Sequence, residues 1–181
     1  MARLPYLDKS ELAPENQDLL TRGINLHRAL VHSPNGARAF IGLGKFIRHQ
    51  SRLDARLREM AILQVGYLAR SPYEWSHHVK IGHDFGVTDA DIRAIIDETE
   101  GRPTALEPLE KLVLQGAREM ADGLAMSAAS FAALKQALTS EHLTDLVMVI
   151  AFYAGVVRLL ATLDIDVEAD YQPYLDAFPL P

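Results

Sequence analysis

Apolar residues recur at helical spacing along almost the whole chain, and the strict alternation that marks a β-strand is absent. Polar residues that favour helix N-caps, such as Ser33, Ser71 and Thr88, precede several of the apolar segments. We therefore predict an all-α fold, a compact single-domain helical bundle of about seven to eight helices. The spacing predicts helices over residues 15–32, 35–49, 52–70, 72–86, 88–99, 105–122, 127–138 and 140–162.

The last predicted helix contains a continuous apolar run, LVMVIAFYAGVV, at residues 146–157. A transmembrane helix needs about 20 apolar residues, so this shorter run predicts a buried helix and no membrane partner. A helix that is apolar on every side has no face suited to water. In a chain of this size, it is expected at the centre of the fold or at a subunit interface.

The C-terminal segment, residues 163–181, mixes aromatic residues with three prolines. Tyr171, Tyr174, Phe178 and Leu180 supply apolar anchors along it. This pattern predicts an extended arm that lies on the body of the protein or on a neighbouring subunit. Disorder is the alternative, because chain termini are often poorly ordered.

Composition narrows the functional classes. The 181 residues are 49% hydrophobic and carry a net charge of −6, which is typical of one globular domain spanning residues 1–181. No run of lysine and arginine is present, so we expect no nucleic-acid partner. The chain has no cysteine, which excludes disulfides, thiolate metal sites and thiol nucleophiles. The first residues lack the apolar core of a signal peptide, and a cytoplasmic location is expected.

Glu59 lies on a helical stripe with Ile62 and Leu63, so its carboxylate is expected to be partly buried. A buried carboxylate is costly unless it is paired or protonated. Arg56, Arg70 or a more distant base could be the partner. A purely structural ion pair explains this residue as well as a catalytic role does.

The next helix begins with a sequence that suits a capping box, with Ser71 as N-cap, Pro72 in the first turn and Glu74 at the third position. Glu74 also shares a face with His78, one turn further on. A contact between them would orient the imidazole and raise its pKa. A satisfied core histidine is the alternative. His77 points about 100° away, towards solvent or an interface.

The spacing of the histidines does not suit a metal site. No H-E-x-x-H motif is present, and the adjacent His77 and His78 cannot bind one ion from a single helix face. Nucleotide-binding glycine motifs and a G-x-S-x-G elbow are also missing. We predict no metal and no cofactor.

Residues 56–82, RLREMAILQVGYLARSPYEWSHHVKIG, resemble the signature of the carboxymuconolactone decarboxylase and alkylhydroperoxidase D superfamily. The resemblance extends over residues 35–100 and includes the separation of 19 residues between Glu59 and His78. It implies a helical bundle of the alkylhydroperoxidase D-like type. It also implies self-association as a homotrimer or hexamer, with a dimer as the alternative.

In the peroxidase branch of this superfamily, a C-x-x-C motif precedes the histidine, and its two positions match Ser71 and Glu74 here. Peroxide reduction in that branch needs a thiolate nucleophile and a resolving thiol. Neither is present, so thiol peroxidase activity is expected only as a superfamily label. The Y-E-W-x-x-H form looks like the decarboxylase-like branch.

The resemblance therefore implies a cofactor-free, decarboxylase-like lyase that acts on a small carboxylated lactone of the 4-carboxymuconolactone type. Loss of carbon dioxide from such a compound needs a cation for the carboxylate, a donor to the oxyanion and an acid for carbon. Glu59, Glu74 and His78 are the predicted catalytic residues. Arg70, Tyr73 and Trp75 are the predicted substrate-binding residues, and Arg38 and Lys80 are further candidates to attract a carboxylate.

Two other functions remain open at this point. The chain could catalyse a different lyase or isomerase reaction of a small acidic molecule on the same scaffold, since fold does not determine substrate. It could also be a non-catalytic oligomer, in which Glu59, Glu74 and His78 form a buried polar network.

Overall fold

The structure is a computed structural model that describes residues 2–181, and these residues form α-helices, short 3₁₀ helices and loops without any β-strand. The prediction of an all-α fold is confirmed. Three 3₁₀ helices span Lys9–Glu11, Pro14–Leu20 and Ala169–Tyr171. The α-helices are α1 (Asn25–Leu30), α2 (Pro34–His49), α3 (Ala55–Leu68), α4 (Pro72–Asp84), α5 (Asp89–Thr99), α6 (Pro108–Asp122), α7 (Ala128–Ala137), α8 (Ser140–Leu163) and α9 (Gln172–Ala177).

The main difference from the predicted helices lies near the N-terminus. The single helix predicted over residues 15–32 is wrong, because a 3₁₀ helix and the short α1 stand there with residues 21–24 between them. Gly23 lies in this break, and glycine is a poor helix former because it loses more backbone freedom than any other residue.

Helix α3 is the centre of the fold. Every residue from Leu57 to Tyr67 is buried, and α3 packs against α4, α5, α6 and α8. Asp54 begins the helix by accepting a hydrogen bond from the backbone N–H of Leu57 at 2.9 Å. Burial of a large apolar side chain contributes about 1.5–3 kcal/mol, so the apolar residues of α3 hold its polar ones in place.

The turn between α3 and α4 reverses the chain over three residues. Arg70 adopts a left-handed backbone conformation with φ of 47°, and the Ser71 N–H donates to the Gly66 carbonyl at 3.0 Å. Helix α4 therefore runs back along α3. This return brings His78 in the middle of α4 next to Glu59 near the start of α3.

Helix α8 packs against α3 and α6 along one side, while Met148, Ala151 and Gly155 are open or partly open on the other. By length and composition alone, the helix is long and apolar enough to cross a membrane. The core helix of a soluble protein meets the same criterion, and α8 supplies many residues of the core cluster. Self-association through its open side stays a prediction.

The C-terminal segment lies on the body of the protein, across α4. The Trp75 indole N–H donates to the Phe178 carbonyl at 2.6 Å, and the Phe178 side chain is buried. The segment is less extended than predicted, because residues 172–177 form α9. The C-terminal segment therefore covers one face of α4.

Candidate functional site

Four charged side chains form a continuous buried chain between α3 and α4. The guanidinium Nη2 of Arg58 donates to Glu59 Oε1 at 2.9 Å. The other oxygen of that carboxylate, Oε2, lies 2.7 Å from Nδ1 of His78. The far nitrogen of the same ring, Nε2, lies 3.0 Å from Oε1 of Glu74. All four side chains are at least 95% buried.

The charges along this chain alternate in sign. Burial disfavours the imidazolium form of His78, but the carboxylates of Glu74 and Glu59 outweigh burial and raise its pKa to about 9. Burial would raise the pKa of Glu59, but His78 and Arg58 outweigh it and lower that pKa below the usual value. His78 is therefore an imidazolium and Glu59 a carboxylate at neutral pH.

The raised pKa of His78 predicts a specific pH dependence of stability. A histidine whose pKa rises from 6.5 to about 9 on folding stabilises the protein fully below pH 6.5. This stabilisation declines as the pH rises and is lost through pH 9, with a total on the order of 3 kcal/mol. Urea unfolding at a series of pH values should show the decline. His83→Gln, at an exposed end of α4, is the control and should show the same decline of stability. A stability that does not change with pH in the unchanged protein would contradict the raised pKa of His78.

Glu74 does not cap α4. The Ser71 side chain accepts no cap hydrogen bond, and Glu74 approaches His78 instead, so the predicted capping box is wrong. Although Oε1 of Glu74 is close enough to Nε2 of His78 for an ion pair, it lies off the hydrogen-bonding direction and has no hydrogen-bond partner. The charged chain thus ends on a carboxylate with spare accepting capacity.

Glu74 and His78 line a cavity of about 350 Å³ enclosed by α1, α2, α4 and α8. Its basic side is formed by Arg22, Lys45 and Arg48, none of which forms an ion pair with any residue in the range 2–181. These cations contrast with the net charge of −6 of the chain. The remaining walls are mainly apolar and include Ile24, Leu26, Phe40, Ile41, Ile81, Phe152 and Val156.

The predicted substrate-binding residues occupy different places. Tyr73 lines the cavity, and its hydroxyl donates to Glu168 Oε1 at 3.1 Å and accepts from the Leu26 N–H at 3.3 Å. Trp75 is fully buried under the C-terminal segment, and Arg70 is exposed at the turn before α4. Neither of these two lines the cavity.

The other predicted cations are also away from the cavity. Arg38 is paired with Asp18 at 2.7 Å, and Lys80 is paired with Asp84 at 2.9 Å. Arg56, one of the bases expected near Glu59, pairs with Asp91 at 2.6 Å instead. The structure thus makes Arg58 the partner of Glu59. The cations placed to attract an anion are Lys45 and Arg48 of α2 and Arg22 of the loop before α1.

His77 is buried, and its predicted position facing solvent or an interface is wrong. Its ring stacks between Tyr73 and Tyr171, with ring centroids 4.0 and 3.5 Å away. Its Nε2 lies 2.7 Å from Oε2 of Glu168. Burial lowers the pKa of His77 against the opposing effect of Glu168. The C-terminal segment supplies both Tyr171 and Glu168, and so it covers the side of α4 that a helical wheel leaves open.

Several residues of the site were not predicted from the sequence. Arg58 is adjacent to Glu59 in the chain, and neighbouring helix residues point about 100° apart, which hid their contact. Lys45 and Arg48 lie three residues apart on α2, a spacing that gives a shared basic face and was available as a signal. His27 and Tyr153 also line the cavity. They had no local signal, because the helices that carry them are distant in sequence from α4.

Comparison with known proteins agrees with this architecture. Residues 34–103 match the model of the carboxymuconolactone decarboxylase family. No curated protein matches the chain. An uncharacterized peroxidase-related protein from Ralstonia eutropha JMP134, described as an alkylhydroperoxidase AhpD core, is 18% identical with a TM-score of 0.80. That alignment covers 99% of this chain and 98% of the other.

Two further solved structures share the fold. A peroxidase-related protein from Silicibacter sp. TM1040 is 17% identical, with a TM-score of 0.78 and coverage of 93% of this chain and 92% of the other. A cysteine-to-alanine variant of the debrominase Bmp8, in complex with 2,3,4-tribromopyrrole, is 18% identical, with a TM-score of 0.79 and coverage of 98% and 100%. Residues 34–103 carry the family match, and the shared helical architecture agrees with the resemblance of the chain to the carboxymuconolactone decarboxylase and alkylhydroperoxidase D-like superfamily.

Proposed function

We propose that this protein catalyses proton transfer on a small carboxylated ring compound, and that the reaction is decarboxylation of an acidic lactone of the 4-carboxymuconolactone type. One observation carries the proposal: the buried charged chain ends on Glu74 in a cavity whose basic side has three unpaired cations. An acid–base group and an anion-binding surface thus share one cavity. The apolar walls suit the ring of the substrate.

The proposed reaction begins with the substrate carboxylate held by Arg22, Lys45 and Arg48. The bond between the ring carbon and the carboxylate breaks, carbon dioxide leaves, and the electron pair becomes a dienolate on the lactone carbonyl oxygen. The lactone itself accepts the electrons, so the step calls for no cofactor. A proton must then reach the ring carbon.

The proton comes from the charged chain. Both nitrogens of His78 face carboxylates, so His78 serves as a proton reservoir behind Glu74 and does not contact the substrate itself. A proton passes from Nε2 of His78 to Glu74, and Glu74 delivers it to carbon. Solvent then restores the proton on the imidazole. Glu59 and Arg58 keep the imidazole oriented and favour its charged form.

Tyr153 is the proposed donor to the dienolate oxygen. Its ring lies against His78 with centroids 4.9 Å apart, its side chain lines the cavity, and its hydroxyl hydrogen-bonds none of the described residues. Burial, with Glu74 and Glu59 nearby, raises the pKa of this phenol. The hydroxyl therefore keeps its proton and can donate it in a hydrogen bond to developing negative charge.

Tyr153→Phe should lower kcat for the acidic lactone by about 10²–10³-fold, the usual effect of removing one oxyanion donor. The ring and its packing remain, so the free energy of unfolding should stay within about 0.5 kcal/mol of the unchanged protein. Loss of ultraviolet absorbance of the lactone measures turnover. Tyr174→Phe, outside the cavity, is the matched control. A normal kcat in Tyr153→Phe would remove this residue from the mechanism.

A direct test of the proposed function is turnover by the unchanged protein. The substrates are 4-carboxymuconolactone and a panel of other carboxylated lactones, with carbon dioxide release as a second readout. Turnover of another member of the panel alone would support a related acid–base reaction and overturn the 4-carboxymuconolactone assignment. No turnover of any member would overturn the lactone proposal altogether. The debrominase complex with tribromopyrrole, a small ring compound on this fold, supports the choice of small rings.

A further inference from the structure

His27 is a lining residue of the cavity that carries an unpartnered polar atom. It lies on α1, its side chain lines the cavity, and its Nδ1 is buried without a hydrogen-bond partner. In the part of the chain that the structure describes, only one other side-chain nitrogen or oxygen that is itself inaccessible to solvent lacks a partner, Oε1 of Glu74. Both atoms belong to side chains of this cavity, one on α1 and the other on α4.

The backbone just before His27 is anchored. The Asn25 N–H donates to Glu168 Oε1 at 2.6 Å, and the Leu26 N–H donates to the Tyr73 hydroxyl at 3.3 Å. These bonds tie α1 to α4 and to the C-terminal segment. An unpartnered buried polar atom costs about 1–3 kcal/mol. The anchoring holds His27 in this position despite that cost, which is the arrangement expected of a residue kept ready for a ligand.

The imidazole of His27 is uncharged at neutral pH. Burial, followed by the positive charges of Arg22 and Arg48, lowers its pKa to about 4. A neutral imidazole nitrogen can exchange one hydrogen bond with a hydroxyl or carbonyl group. Lys45 and the other cations of the cavity attract the anionic group of a ligand more strongly than a neutral imidazole does. His27 is therefore suited to bind a neutral polar group of that ligand.

We propose that His27 is a specificity-determining residue whose Nδ1 hydrogen-bonds a neutral polar substituent of the ligand, while Arg22, Lys45 and Arg48 hold its carboxylate. The preferred ligands are then ring acids that carry a hydroxyl or carbonyl group, and unsubstituted ring acids bind more weakly. The inference deepens the proposed function, because it rests on the same cavity being the substrate site.

Calorimetry with benzoate and its three monohydroxy isomers tests this role without turnover. The unchanged protein should bind the best hydroxybenzoate about tenfold more tightly than benzoate, the worth of one added hydrogen bond. In His27→Leu this preference should fall to within about twofold, with benzoate affinity retained. His27→Asn, whose amide lies near the position of Nδ1, should keep part of the preference. His142→Asn, outside the cavity, is the control.

Equal binding of benzoate and all three hydroxybenzoates by the unchanged protein, or no binding of any, overturns the inference. So does an intact preference in His27→Leu. If that variant does not fold, ¹⁵N NMR of the unchanged protein replaces it: hydroxybenzoate should shift the His27 Nδ1 resonance and benzoate should not. An unmoved resonance overturns the role. Failure of lactone turnover with the hydroxyl preference intact would overturn the reaction and leave this binding role standing.

Discussion

Glu74→Gln should lower turnover of the acidic lactone by about 10²–10⁴-fold, because the amide can neither take the proton of His78 nor deliver one to carbon. The substitution keeps the size and shape of the side chain. Binding of the substrate carboxylate depends on cations elsewhere in the cavity, so KM should change much less than kcat. Steady-state kinetics measured from the loss of lactone absorbance separate the two effects.

Ser71→Ala is the matched control for this experiment. It lies three residues before Glu74, at the start of the same helix, and its side chain makes no cap hydrogen bond. We expect normal turnover and nearly unchanged stability in this variant. A normal kcat in Glu74→Gln, or an equal loss of kcat in Ser71→Ala, would show that Glu74 is not the group that transfers the proton.

Glu59→Gln should destabilise the fold by about 3–5 kcal/mol, the usual cost of removing one partner from a buried ion pair. Glu59 lies between two positive groups, Arg58 and the imidazolium of His78, and all three side chains are buried. Without the carboxylate, the guanidinium is left with no anionic partner in contact. The decline of stability between pH 6.5 and 9 should also shrink, because His78 loses one of the charges that raise its pKa.

The double variant Arg58→Met with Glu59→Gln provides the control. It removes the buried guanidinium together with its partner, and replacement of a whole buried pair is often close to neutral. We therefore expect it to recover part of the stability lost in Glu59→Gln. Urea unfolding of the two single variants and the double variant gives the coupling between the residues. If Glu59→Gln costs less than about 1 kcal/mol, the carboxylate does not stabilise this charge arrangement.

The helical character of the chain and the residues of the acid–base set were accessible from sequence. Apolar spacing predicted most of the helices, since a helix that buries one face must repeat its apolar residues with the helical period. The family resemblance identified Glu59, Glu74 and His78, and in the structure each of the two carboxylates lies within 3.0 Å of one nitrogen of the His78 imidazole. The local sequence pattern at the start of α4 predicted that Glu74 caps the helix. That prediction was wrong because the carboxylate of Glu74 lies against His78 instead.

The cavity was not accessible in this way. Its walls come from α1, α2 and α8 as well as α4, and its unpaired cations lie on α2 and the loop before α1. Arg70 was a reasonable prediction for a cation at a helix end, yet the left-handed turn at that residue leaves it exposed, away from the cavity. His77 was assigned to solvent because a helical wheel carries no information about a segment more than 90 residues away.

The sequence by itself determined an all-α fold and the absence of any thiol, because periodicity and composition encode these directly. Its resemblance to a known superfamily pointed to Glu59, Glu74 and His78 as candidate acid–base residues. Only the tertiary structure decided that Arg58 pairs with Glu59, that Glu74 faces a cavity and does not cap its helix, and that His27 and Tyr153 reach the same space. Contacts of this kind depend on how distant helices pack, and packing is a property of the folded chain that no local window contains.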